Sequence, residues 1–154
     1  MLCKLFPALM IALFSYALTG CGDDDPVDPP SPDNPSMRAT IDGSEKETEN
    51  ITARKDSLLT SITGTFSDKT LILITLNNVT EVQTIDLSSI SGSGVSYSDL
   101  TGSSQLIVYT ATKGQIEIKS IDDEGITGTF SFTGKDGTSD KTVEVTNGSF
   151  SAEL

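Results

Sequence analysis

Past residue 36 the chain alternates apolar and polar residues with a period of two, the pattern of strands with one buried face. Met37, Ala39 and Ile41 alternate up to Asp42-Gly43, a turn signal. Leu58, Ile62 and Phe66 share one parity, with Gly64 between the last two. Ile85 and Leu87 alternate, as do Val95 and Tyr97, Ile116 and Ile118, and Val143 and Val145. Ile126, Phe130 and Phe132 carry the same pattern. Lys113-Gly114 punctuates the text, Asp122 to Gly125 reads as a turn, and Lys135-Asp136-Gly137 as a hairpin tip. After Asn147-Gly148 the parity flips, since Phe150, Ala152 and Leu154 are even where Val143 and Val145 are odd. A bulge there would restore the inward face, and so would a simple chain reversal. Helical periodicity is weak everywhere, with Thr80 to Ile90 its only candidate.

Strand signals every eight to twelve residues, separated by turns, indicate an all-β domain over 37–154. An antiparallel β-sandwich is expected, with a small β-barrel as the alternative. Two strands are apolar on both faces: Leu71 to Ile74, and Leu106 to Tyr109. Their second face needs a cover, either the Ser/Gly-rich stretch Ser88 to Ser104 or a partner. An internal echo runs through the domain. Ile62-Thr63-Gly64-Thr65-Phe66-Ser67 recurs as Ile126 to Ser131, and Ser67-Asp68-Lys69-Thr70 as Ser139 to Thr142. Two equivalent hairpins would explain it, and so would a small Thr/Gly/Ser alphabet. Glycines inside strands suggest bulges or close packing against a bulky neighbour.

The pattern changes before residue 37. Residues 1–20 hold one base, Lys4, and an apolar run from Leu5 to Leu18, too short to span a bilayer comfortably and suited to a signal peptide. The run ends in Leu18-Thr19-Gly20-Cys21, an aliphatic residue, two small residues and a cysteine. This resembles the lipobox of bacterial lipoproteins. The resemblance implies cleavage after Gly20, a diacylglyceryl thioether on Cys21 and acylation of the new amino terminus. Several acyl chains on one residue make a lasting membrane anchor, at about 0.8 kcal/mol per buried CH₂. From Cys21 to Ser36 follows a spacer with five of the six prolines, and five Asp without a base. It cannot bury enough apolar surface to fold, and in polyproline II its fifteen residues after Cys21 reach up to about 45 Å. Asp23-Asp24-Asp25 resembles the surface-export signal found in one group of Gram-negative lipoproteins. Gly22 at the position after the cysteine does not match the inner-membrane retention signal. An outer-membrane, outward-facing location is therefore expected.

Composition narrows the chemistry. The net charge is −12, and loss of the leader leaves 22 acids against 9 bases, or −13. That excludes nucleic acid as a partner and disfavours spontaneous binding to anionic lipid. Histidine is absent, and of the two cysteines only Cys21 would survive processing. Ser-His-Asp, Cys-His and zinc arrangements are thereby removed. Carboxylate pairs remain, since glycoside hydrolysis needs only two. The candidates are Asp122, Asp123 and Glu124 at one turn, and Asp136 and Asp140 at a hairpin tip. They are better explained as solvated turn residues. Calcium could use the same oxygens, but the twelve-residue ligand loop is missing. Three N-glycosylation sequons, at Asn50, Asn78 and Asn147, carry no meaning in a bacterial lipoprotein. No catalytic, cofactor-binding or metal residue is therefore assigned, and no cofactor.

Ala39-Thr40-Ile41-Asp42-Gly43, Gly125 to Phe132 and Thr146 to Phe150 resemble a family of small Gram-negative lipoproteins whose β-rich domain has no assigned function. The resemblance implies a location and a fold and brings no catalytic residues. A non-enzymatic module that binds a protein or joins an envelope assembly is the expected function. The alternatives are a glycan-binding accessory lipoprotein, with Tyr97 and Tyr109 as aromatic platforms, and a carboxylate-based hydrolase.

Overall fold

A computed structural model describes residues 34–89, 91–101 and 106–154. The leader, Cys21 and nearly all of the spacer lie outside the described residues. The described residues form ten strands and no helix: β1 (Ser36–Ile41), β2 (Ser44–Thr48), β3 (Ile51–Lys55), β4 (Leu59–Thr65), β5 (Thr70–Asn77), β6 (Thr84–Asp86), β7 (Gly94–Asp99), β8 (Ile107–Ile121), β9 (Gly125–Asp136) and β10 (Thr142–Glu153). All pairings are antiparallel, in one sheet of order β2-β1-β10-β9-β8-β7-β5-β4-β3, with β6 against β8. The all-β antiparallel class read from the periodicity is the observed one. Thr80 to Ile90 contributes the short strand β6 and no helix among its described residues.

The two ends of that order are consecutive in the chain. Only Glu49 and Asn50 separate β2, which pairs with β1, from β3, which pairs with β4. Ser44 to Lys55 is one bent ribbon whose halves serve opposite edges, so the sheet curls into a nearly closed barrel. Two hydrogen bonds knit the bend to β4. Thr48 Oγ1 donates to the Thr65 carbonyl at 2.6 Å, and the Thr65 amide donates to the Asn50 carbonyl at 2.9 Å. The two remaining edges, β2 and β3, are short and rich in polar and charged residues, which guards them against pairing with other chains.

The core follows the alternation. Met37, Ile41, Ile62, Ile72, Ile74, Leu76, Val95, Ile116, Ile118, Ile126, Phe130, Phe132, Val143, Val145 and Phe150 are buried. Leu58, expected on the same face as Ile62, is instead 64% exposed in the turn before β4. Asp42 and Gly43 form the two-residue turn, with φ of 47° and 79°. Positive φ at both positions twists the turn with its strands, which is why Asp-Gly suits it.

Changes of phase within strands are taken up by bulges. Between Val145 and Gly148, β10 carries one residue more than β9, and Asn147 has a φ of 51°. The bulge returns Phe150 and Ala152 to the core, one of the two explanations for the flipped parity. Lys113-Gly114 does not end a strand. It sits beside a bulge in the fifteen-residue β8, where the register against β9 shifts between Ala111 and Lys113. A turn signal in text is here a slip of phase, because the next residues resume pairing with β9 in the same direction. The tip after β9 also lies later than expected, with Lys135 and Asp136 still in the strand.

Register places the turns at two ends. The turns after β1, β4, β7 and β9 share one end, here called the rim. The start of β1, the β8–β9 turn at Asp122 to Glu124 and the C-terminal residues share the other.

Candidate functional site

The rim holds a strip of apolar side chains on the outer face of β5, β7 and β8. Leu71 pairs with Ser98, and Ser98 with Val108, so the three form one row across three strands. Leu106 and Leu100 continue the row's neighbours towards the tip, two residues beyond Val108 and Ser98. Leu73 lies one step back on β5. Leu100 is 45% exposed, Leu106 55% and Val108 36%, while Leu71 and Leu73 are half-buried. Ser98 lies between Leu71 and Val108 in this row and is buried. This is the second apolar face noticed in both strands. Of the Ser/Gly-rich stretch expected as a cover, Gly94 to Asp99 are built into the sheet as β7, and residues 90 and 102–104 lie outside the described residues. Leu58, Leu59 and Val82 are exposed too, at the opposite end, Leu59 at the start of β4 and the other two in the connecting segments.

On the inner face of the same rim two tyrosines stack. Tyr97 and Tyr109 are cross-strand partners with ring centroids 6.0 Å apart and planes 28° apart. Tyr97 is buried and Tyr109 half-buried. The Lys46 ammonium, reaching in from β2, lies 5.7 Å from the centre of the Tyr97 ring, within cation–π range. It also pairs with Asp68 and donates to Thr70 Oγ1 at 3.2 Å. Burial works against the Lys46 charge, but the hydrogen bond to Asp68 and the charge interactions with Tyr97 and Asp68 together outweigh it and the pKa rises. Burial likewise opposes ionisation of Asp68. The hydrogen bonds from Lys46 and Thr70 win, and its pKa falls to about 2. The Tyr109 phenol is raised by burial and by the negative charges of Asp136, Asp99 and Asp42. Register agrees for two of these: Asp136 is the partner of Tyr109 on β9, and Asp99 lies two residues from Tyr97 on the same strand.

The carboxylates singled out as catalytic candidates are not brought together. Asp122 accepts from the backbone amides of Glu124 and Gly125, at 2.9 and 2.8 Å, and so caps its own turn. These bonds hold its pKa low. Asp136 accepts from the amide and hydroxyl of Thr138 and from the Ser139 hydroxyl, and its pKa is lowered by the same contacts. Asp140 is fully exposed and meets Lys135 at 3.0 Å. Asp122 to Glu124 and Asp136 to Asp140 occupy opposite ends of the β9 strand. Among the described residues no three acidic side chains are arranged to hold a metal ion. A shallow recess of about 460 Å³ beside the β9–β10 tip is lined by Thr110, Thr112 and the residues from Lys135 to Asp140. Cys21 lies outside the described residues. Lys46 escaped the sequence reading altogether. Its partners are 22 to 51 residues away, and no local pattern announces a contact made by barrel closure.

A family model described as a domain of unknown function, DUF6252, matches residues 33–152. No curated protein and no solved structure matches the chain.

Proposed function

The chain belongs to the DUF6252 family, a membership that brings no activity with it, and we propose that it is a lipid-anchored surface module that binds another protein without catalysis. The observation that carries this is the outer strip of Leu71, Leu73, Leu100, Leu106 and Val108. Exposed apolar groups joined across three strands mark interaction surfaces more often than single exposed residues do. The strip sits at the rim, whereas β1 begins at the opposite end. A chain anchored through lipid on Cys21 and spaced by the proline- and aspartate-rich tether would carry the strip away from the membrane. We place the anchor in the outer membrane, facing outward, on the strength of Leu18 to Cys21 and Asp23 to Asp25. Of the acids that could serve hydrolysis, Asp122 and Asp136 are engaged in their own turns and Asp140 stands in open solvent, which favours binding over catalysis.

The test is crosslinking and pull-down of the full lipidated chain from intact cells, alongside Leu106→Asp and Cys21→Ser. A protein recovered with the natural chain and lost with Leu106→Asp supports the proposal. Equal recovery by Leu106→Asp, or a glycan-array hit with no protein partner, sinks it. Cys21→Ser should abolish incorporation of labelled fatty acid and release the chain from membranes.

A further inference from the structure

The rim offers more than an apolar strip. Among the charged groups in or beside its turns are the carboxylates of Asp42, Asp68, Asp99, Asp136 and Asp140 and the ammonium groups of Lys46, Lys69, Lys135 and Lys141. Two of the ammonium groups are committed, Lys46 to Asp68 and Lys135 to Asp140. The charge of Lys141 favours the ionised form of Asp136. Asp99 and Asp136 flank the half-buried Tyr109 by register, and their hydrogen bonds to Thr101, Thr138 and Ser139 leave their charge in place. The stack already shows what such a ring accepts, because Lys46 sits over its other member, Tyr97. An aromatic face is negative at its centre, and nearby carboxylates deepen that potential.

Val108 of the strip and Tyr109 of the stack are neighbours on β8 and face opposite sides of the sheet close to the rim, so a segment laid over the rim reaches both. We propose that the partner docking on the strip presents an apolar side chain to Leu100, Leu106 and Val108 and a lysine or arginine to the Tyr109 ring between Asp99 and Asp136. This rests on the protein-binding role argued above and names the chemistry of the partner. The chain's own excess of acid favours a basic partner for the same reason, by steering its approach.

The probe is a short amidated peptide, acetyl-Ile-Arg-Leu-Arg, compared with the same peptide carrying citrulline for arginine, which keeps the planar shape but loses the charge and exchanges two N–H donors for a carbonyl oxygen. Both are titrated into the full lipidated chain in detergent, at low and high salt. The arginine peptide should bind about ten-fold more tightly at low salt, and the advantage should shrink at high salt. Asp99→Asn and Tyr109→Leu, each checked for an unchanged melting transition, should bring the two peptides to within about two-fold. Leu106→Asp should weaken both. Equal binding of the two peptides, no binding of either, or selectivity that survives both rim variants would overturn the inference. So would a neutral oligosaccharide that binds at Tyr109 and excludes the peptide. A partner recovered through Leu106 whose binding ignores salt and Tyr109 would remove this inference while leaving the protein-binding role intact.

Discussion

The hairpins β4–β5 and β9–β10 are written in nearly the same words and are held by different neighbours. In both, the isoleucine is fully buried, the glycine is buried and the phenylalanine is 3% exposed. In β9–β10 the contact is local. Gly128 opposes Phe150 on the paired strand, and a Cβ at Gly128 would lie 2.7 Å from the Phe150 ring and 2.5 Å from the Glu117 carbonyl oxygen. In β4–β5 the contact crosses the barrel closure. A Cβ at Gly64 would meet Met37 of β1, with its Sδ 2.5 Å away. The shared text therefore specifies a strand with a hollow in it, and topology decides what fills the hollow.

The sharpest way to break the likeness is to fill both hollows. Gly128→Ala sets a methyl against backbone that cannot retreat, and should cost about 3 kcal/mol, the upper end for overpacking. Gly64→Ala meets chiefly the end of a flexible thioether and should cost about 1 kcal/mol. Urea denaturation of the two variants measures the difference. Met37→Val, costly alone, should recover part of the Gly64→Ala loss and none of the Gly128→Ala loss, because only contacting residues couple. Equal costs at the two glycines would erase the distinction between local and closure contacts.

What could be read beforehand follows the same division. Alternation located the inward faces of β1, β7, β9 and β10, and Asp42-Gly43 announced its own turn, because these depend on neighbours in sequence. The parity flip at Asn147-Gly148 was visible for the same reason. The closure by Ser44 to Lys55 was not, since β2 and β3 are polar and mostly exposed and their partners are set by curvature. Lys46 and the Tyr97–Tyr109 stack were invisible as a group, being three strands brought together from distant parts of the chain. The outward strip was half legible. Its residues stood out as apolar on both faces, but whether β7 would cover them or carry them could not be told from Ser and Gly content.

The aspartates of the two Ser-Asp-Lys-Thr turns sharpen the comparison at a smaller scale. Asp68 accepts from the Thr70 amide at 3.1 Å and the Thr70 hydroxyl at 2.6 Å, and holds Lys46 across the closure. Its folded pKa, about 2, is below the ordinary 3.8. The stabilisation it gives is therefore present above pH 4 and is lost as the pH falls towards 2. Its side chain is 42% exposed, so solvent screening limits the effect to about 1 kcal/mol. Asp68→Asn should lower stability by that amount at pH 7, and the gap from the natural chain should close by pH 2. Denaturation curves of the two chains between pH 2 and 7 provide the check, and a gap that stays constant with pH would mean the carboxylate charge is not what latches the ribbon.

Asp140, its counterpart, should contribute almost nothing. Its only ionic partner among the described residues is Lys135, itself half exposed, and the pair stands in open solvent. An exposed pair gains little Coulomb energy in water and gives up side-chain entropy to form. Asp140→Asn should therefore leave the denaturation midpoint unchanged within about 0.3 kcal/mol at any salt concentration. The two aspartates occupy the same place in the same four-residue text, so a measurable loss at Asp140 would show that the turn motif itself is stabilising. No loss there, beside a loss at Asp68, would assign the value of the motif to Lys46 and the closure it reaches across.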